Sequence, residues 1–220
     1  MYRYFEDKKT LKIIQTQCSE IIKELENELR INGLNSQIFL IGSGGRNMVM
    51  QNENQPIDFD YNLNVISYYD LKKCREIKEL TRNSFNKIMR KHGLCDVEDS
   101  KSSLTTKELY LVKYPEIGFS IDLGIVKHDK KGNWQRLIHK KTGNTNKDEY
   151  FWNDAPNSSE YNKKTKQIKS IAGAWQLVRD EYKELKNMYL RRNDNKHPSF
   201  VCYIEAVNNV YNILKQKGCL

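Results

Sequence analysis

The first apolar positions along this chain recur at a helical period. Leu11, Ile14, Cys18, Ile21, Leu25 and Leu29 share one face, so residues 8–32 are expected to form an amphipathic helix that stops at Asn32-Gly33. The pattern then changes. Gln37-Ile38-Phe39-Leu40-Ile41 reads as a short buried strand, followed by a glycine-rich segment, 42–47, and a polar loop from Gln51 to Gln55 that ends at Pro56. Residues 57–65 alternate strictly. Ile57, Phe59, Tyr61, Leu63 and Val65 take one face and Asp58, Asp60, Asn62 and Asn64 the other, which predicts a strand buried on one side. Asp70 is placed to cap a second helix that runs to about His92 and stops at Gly93.

Further strands are expected over 94–99, 105–113 and 118–127, and another over 133–139. In the third, Phe119, Ile121, Leu123 and Ile125 oppose Gly118, Ser120, Asp122 and Gly124. Residues 140–157, with Gly143 and Pro156, read as loop. From Ser158 onward helical patterns dominate: one stretch over 159–191, broken at Gly173, and a last helix from Pro198, preceded by His197. The fold class expected is therefore α/β (α+β). A small mixed sheet flanked by helices occupies residues 1–145, and a helical region, 146–220, packs on it.

Composition narrows the picture. With 38% apolar and 10% aromatic residues in 220, the chain can build a core and does not read as disordered. It shows no signal-peptide pattern at its start and no apolar run of bilayer length, so a soluble, cytoplasmic protein without a membrane partner is expected. Five cysteines, an odd count with no CxxC pair, argue against a disulfide framework or a zinc site, and most of them read as core thiols. The net charge of +9 favours an anionic partner, a nucleic acid or a nucleotide, although a Lys- and Asn-rich composition produces the same charge without any partner.

The chemistry lies in three carboxylates set among apolar strand residues. Asp58 and Asp60, two apart on a strand, leave the same face, and like charges that close repel unless a cation sits between them. A hard divalent ion with oxygen ligands resolves the conflict, and Mg²⁺ completes its shell with water and substrate phosphates. Asp122, on another strand, joins the group either by holding a second ion or as base towards an attacking hydroxyl. Two such ions clamp the oxygens of an in-line displacement at phosphorus. Gly42-Ser43-Gly44-Gly45 supplies the complementary half. Its backbone can approach a phosphate closely, Ser43 can donate to a terminal oxygen, and Arg46 offers a bidentate fork. Taken singly, each part has a plainer reading as a turn, a solvated strand face or a salt-bridge partner for a lysine. Their order along the chain favours catalysis.

That order, apolar-Gly-Ser, then Asp-x-Asp between apolar residues, then a lone Asp flanked by apolar residues, resembles the polymerase-β-like nucleotidyltransferase superfamily over roughly residues 37–127. The resemblance implies two Mg²⁺ ions, with Mn²⁺ as the alternative, and transfer of a nucleoside monophosphate from an NTP such as ATP, with release of pyrophosphate. By matching motifs, Gly42 and Ser43 would hold the triphosphate, Asp58 and Asp60 the metals, and Asp122 the catalytic metal and acceptor hydroxyl. The Ser43-to-Asp58 spacing is longer than the compact form of the pattern, and Gly44-Gly45-Arg46-Asn47 stands where small or basic residues are usual. The acceptor stays open among RNA, a nucleotide and a protein. A small-molecule antibiotic transferase and an inactive nucleotide-binding relative are the alternatives. Basic segments at Lys163-Lys164-Thr165-Lys166, Lys169 and Arg191-Arg192 could meet phosphates but read more plainly as solvated helix faces. His92 and His139 read as structural or exposed.

Overall fold

The computed structural model describes residues 1–155, 159–194 and 198–220; Pro156, Ser158 and His197 lie outside the described residues. A short strand, β1 (Tyr2–Tyr4), precedes the expected first helix. Asp7 starts that helix by accepting the backbone N–H groups of Lys9 and Thr10, both at 3.0 Å, and α1 runs Lys8–Ile31 with Ile14, Cys18, Ile21 and Leu25 buried. After β2 (Asn35–Leu40), the glycine-rich segment forms a single helical turn, α2 (Gly42–Gly45). The polar loop expected at 51–55 is partly taken by β3 (Met50–Asn52), and β4 (Ile57–Ser67) buries its apolar alternate residues as expected.

The second long helix, α3, spans Cys74–Lys91 and not the stretch from Asp70. The Asp70 carboxylate accepts the Lys72 N–H at 2.9 Å and its carbonyl accepts the Lys73 N–H, so Asp70 closes a turn ahead of the helix. Three short strands follow, β5 (Glu98–Asp99), β6 (Ser103–Thr105) and β7 (Leu109–Leu111), then the long β8 (Tyr114–His128) and β9 (Trp134–Lys140). The loop reading of 140–157 is corrected by β10 (Glu149–Asp154), which pairs with β9 and carries the sheet beyond residue 145. Its alternation is short, but Tyr150 and Trp152 turn inward against the core while their neighbours are exposed. The rest is helical: α4 (Ser159–Lys169), α5 (Ala174–Arg191) and α6 (Ser199–Gln216), with Gly173 at φ +75° making the expected break. Among the described residues no helix is long and apolar enough to cross a membrane.

The main sheet has the order β10-β9-β8-β4-β2. Strands β4 and β8 run parallel, and β2, β9 and β10 pair antiparallel with their neighbours. The edge of β8 away from β4 is shared in turn by β7, β6 and β9. One face of the sheet packs Phe59, Leu63, Phe119 and Leu123 into a core with Ile14 and Leu25 of α1 and Ile77 and Phe85 of α3. The opposite face keeps the polar residues of β4 and β8. A mixed sheet flanked by helices is thus what forms.

By its internal contacts the chain divides into two units, Phe5–Val49 with Asn54–Pro156, and Met1–Tyr4 with Met50–Glu53 and Asn157–Leu220. Within the second, β1 pairs antiparallel with β3. Buried Asn187 of α5 brackets Tyr2, accepting its N–H at 2.7 Å and donating to its carbonyl at 3.1 Å. The long interval between Ser43 and Asp58 is therefore used: it contains β3, which pairs with β1.

A buried charge network fastens β9. Lys78 of α3, 1% exposed, sits 2.8 Å from Asp99 Oδ1 and donates to the Ser100 carbonyl at 2.8 Å. Asp99 Oδ2 lies 2.8 Å from His139 Nδ1, and His139 Nε2 lies 2.9 Å from Asp148 Oδ2. The imidazole stacks on Tyr150, with ring centroids 4.1 Å apart. Burial pulls the Lys78 pKa down and the neighbouring Asp99 opposes it. His139 is thus structural, as its sequence context suggested. Removing Asp99 would strand Lys78 and His139 among buried atoms. Asp99→Ala is expected to cost about 3–5 kcal/mol, read from urea unfolding at neutral pH, where a loss under about 1 kcal/mol would refute the network's role.

Candidate active site

The parallel register of β4 and β8 brings the predicted carboxylates together. Asp60 stands directly opposite Asp122, and Asp58 opposite Ser120. Asp58 is exposed, while Asp60 and Asp122 are half-buried. Each outer carboxylate is held by a hydroxyl. Ser120 Oγ donates to Asp58 Oδ1 at 2.6 Å, and Thr105 Oγ1, paired with Asp122 across β6 and β8, donates to Asp122 Oδ1. The next residue, Thr106, exchanges hydrogen bonds with Ile121 at 3.0 Å and so fixes β8 just before Asp122.

The glycine turn closes the other side. The Ile41 N–H donates to the Asp60 carbonyl at 2.8 Å, which sets α2 at the end of β2 beside Asp60. Gly42 has φ +60°, and a Cβ there would overlap Asp60 Oδ2. Only glycine meets both demands. Arg46 Nη1 donates to the Gly42 carbonyl at 2.8 Å, so the predicted Gly42, Ser43 and Arg46 all lie on the turn next to the carboxylates.

Two partners were not evident from the sequence. Thr105 belongs to a strand too short to show a period. Arg136 of β9 reaches over Gly124 of β8 and donates through Nη2 to Asn62 Oδ1 at 3.3 Å. A Cβ on Gly124 would lie 3.1 Å from Asn62 Oδ1 and 3.3 Å from Arg136 Nη2, so the missing side chain makes room for the crossing. Locating Arg136 requires the β8–β9 register, which pairs it with Val126.

The electrostatics are those of a crowded anionic site. Burial, then Asp122 and Asp58, push the Asp60 pKa up from 3.8 to about 6, against the pull of Arg136 and Arg46. Burial also raises Asp122, opposed by the Thr105 hydrogen bond. These are oxygen donors short of positive charge, which suits Mg²⁺. Among the described residues no three His, Cys, Asp or Glu side chains are gathered closely enough to hold an ion by themselves. Mg²⁺ does not require that, since it takes one or two carboxylates and completes its shell with water and phosphate oxygens.

No protein-family model and no curated protein matches this sequence. Solved structures do. The Elizabethkingia meningoseptica CdnE cyclic dinucleotide synthase with GTP and Apcpp matches at TM-score 0.54 and 18% identity, over 90% of this chain and 69% of that one. CdnC of E. coli MS115-1 with ATP matches at 0.55 and 14%, over 92% of this chain and 61% of that one. GTP-bound Vibrio cholerae DncV matches at 0.55 and 16%, over 96% of this chain and 53% of that one. The chain shares its fold with these nucleotide-bound structures. It spans between 53% and 69% of the length of these three structures. At such identities the fold is what they share.

The raised Asp60 pKa has a thermodynamic consequence. A carboxyl whose folded pKa exceeds its unfolded value holds its proton more tightly when native, so without a cation this group costs stability as pH rises from about 4 through 6. In EDTA, Asp60→Asn should match the wild type in Tm near pH 4 and exceed it above pH 6.5, with added Mg²⁺ narrowing the gap at pH 7. Equal Tm values at both ends would contradict this account of Asp60.

Proposed function

We propose that this protein is a Mg²⁺-dependent nucleotidyltransferase that transfers a nucleoside monophosphate from an NTP to a hydroxyl of a second nucleotide, releasing pyrophosphate. The observation that carries the reading is the Asp60–Asp122 apposition across parallel strands, with Asp58 on the same face and the Gly42 backbone pressed against Asp60. The nucleotide-bound relatives of the same fold support an NTP as donor. A nucleotide acceptor, in preference to RNA or protein, is supported by CdnE, which is described as a cyclic dinucleotide synthase.

Asp58, Asp60 and Asp122 would hold the Mg²⁺ ions, with Mn²⁺ as substitute. When bound, the ions neutralise the triphosphate and stabilise charge on the attacking and leaving oxygens. The chain's own groups do the remainder. The Gly42 and Ser43 backbone and the Ser43 hydroxyl take the donor's outer phosphates, and Arg46, anchored on the Gly42 carbonyl, brings positive charge to that side. The acceptor hydroxyl oxygen forms a bond to the α-phosphorus as the bond from that phosphorus to its β-bridging oxygen breaks. Pyrophosphate leaves with the electron pair. Thr105 occupies Asp122 Oδ1, so Oδ2 takes the hydroxyl proton.

Incubation with each α-labelled NTP and Mg²⁺ tests the proposal. Pyrophosphate release and a labelled nucleotide product are expected, falling about a hundredfold or more in Asp58→Asn and Asp122→Asn while both variants keep the wild-type circular dichroism. No turnover with any NTP pair, or full turnover in the variants, would refute it.

A further inference from the structure

Arg136 stands apart among the cations of this chain. It is half-buried on the face that carries the carboxylates, and its one hydrogen bond among the described residues goes to the neutral Asn62. Among the described residues no carboxylate forms an ion pair with it, whereas the buried Lys78 has Asp99 and the exposed Lys87 and Lys91 have Glu28 and Glu24. A guanidinium carries five donors in a planar fork, and one withdrawn from water calls for an anion. The charge of Arg136 acts on the Asp60 carboxylate, but among the described residues that carboxylate makes no ion pair with it and leaves the fork open.

Its position says which anion. Arg46 follows α2 at the end of β2, and Arg136 comes from β9, so the two arginines approach from opposite sides of the β4–β8 pair. If the glycine turn takes the donor triphosphate, the β8–β9 side belongs to the acceptor. The guanidinium lies over Gly124, two residues along β8 from Asp122, a separation of about 6.6 Å on a strand. A ribose bridges a gap of that order between its 3′-hydroxyl and its 5′-phosphate.

We infer that Arg136 binds the 5′-phosphate of the acceptor nucleotide while Asp122 faces that nucleotide's 3′-hydroxyl. This rests on the nucleotidyltransferase reading above and adds the acceptor's chemistry to it: a phosphorylated nucleoside, held by a fork that matches phosphate geometry. Asn62 acts as a positioning residue that holds the guanidinium over Gly124.

The test compares wild type, Arg136→Gln, Arg136→Lys and Gly124→Ala with three acceptors at one labelled donor: a nucleotide, its nucleoside, and a short RNA ending in a free 3′-hydroxyl. Binding of the same nucleotide is measured in parallel by calorimetry with Mg²⁺. In Arg136→Gln the KM for the nucleotide acceptor should rise about tenfold or more, and the preference for nucleotide over nucleoside should collapse towards one. Arg136→Lys should restore part of it. Gly124→Ala, whose methyl displaces the guanidinium without removing it, should raise the same KM. An unchanged KM, or an equal loss with nucleotide and nucleoside at unaltered Tm, would overturn the inference. Preference for the RNA end, governed by Arg136, would overturn the free nucleotide as acceptor. If wild type turns over no NTP, the transferase reading fails and calorimetry alone decides Arg136: about tenfold weaker nucleotide binding in Arg136→Gln upholds the phosphate contact, and equal or absent binding removes it.

Discussion

Two carboxylates facing each other across neighbouring parallel strands are the constraint on which this fold is organised. Left alone, Asp60 and Asp122 repel, and burial compounds the cost. The opposite face of the same strands holds them in place. Phe59, Tyr61, Ile121 and Leu123 are all buried, so a register slip of one residue would exchange the apolar and acidic faces of a strand. Hydrophobic burial on one side of the sheet thus enforces like-charge apposition on the other. The repulsion sits where, on the proposed reading, a divalent cation and a triphosphate would relieve it.

Each neighbouring element then meets the carboxylates at a set row. The turn after β2 brings the Gly42 backbone against Asp60, β6 brings Thr105 to Asp122, and β9 sends Arg136 over Gly124. The position of β9 depends in turn on His139, gripped between Asp99 and Asp148 on the strand that also carries Arg136. The buried charges of that network are far from idle. They tie α3, β5 and the segment before β10 to the strand that delivers a cation to the site.

What the sequence made legible follows from the length of its patterns. Helix α1 and strand β4 each repeat their period several times, and both formed within about two residues of expectation. Asp58, Asp60 and Asp122 were visible because a carboxylate interrupts an apolar strand. Strands β1 and β3, three residues each, complete hardly one period and owe their existence to pairing with each other. The start of α3 was misplaced because Asp70 finds its hydrogen bonds in a turn that resembles a cap. Thr105 and Arg136 reach the site only through strand pairing, a long-range property that no local window contains.

Net charge shows the same division from another side. With 37 lysines and arginines against 28 acidic residues, the chain is basic as a whole, and that excess by itself locates nothing. A lysine on a solvated helix face is satisfied by water and salt, and its charge carries little specific meaning. A cation becomes informative when the fold draws it from water without giving it an anion. Lys78 is drawn in and paired, so it serves the fold. Arg136 is drawn in without an ion pair among the described residues, and it is set beside carboxylates whose mutual repulsion its charge only partly offsets. Both features lie on one sheet face within two strands of each other, and on the proposed reading a phosphorylated substrate with its metal would answer both at once.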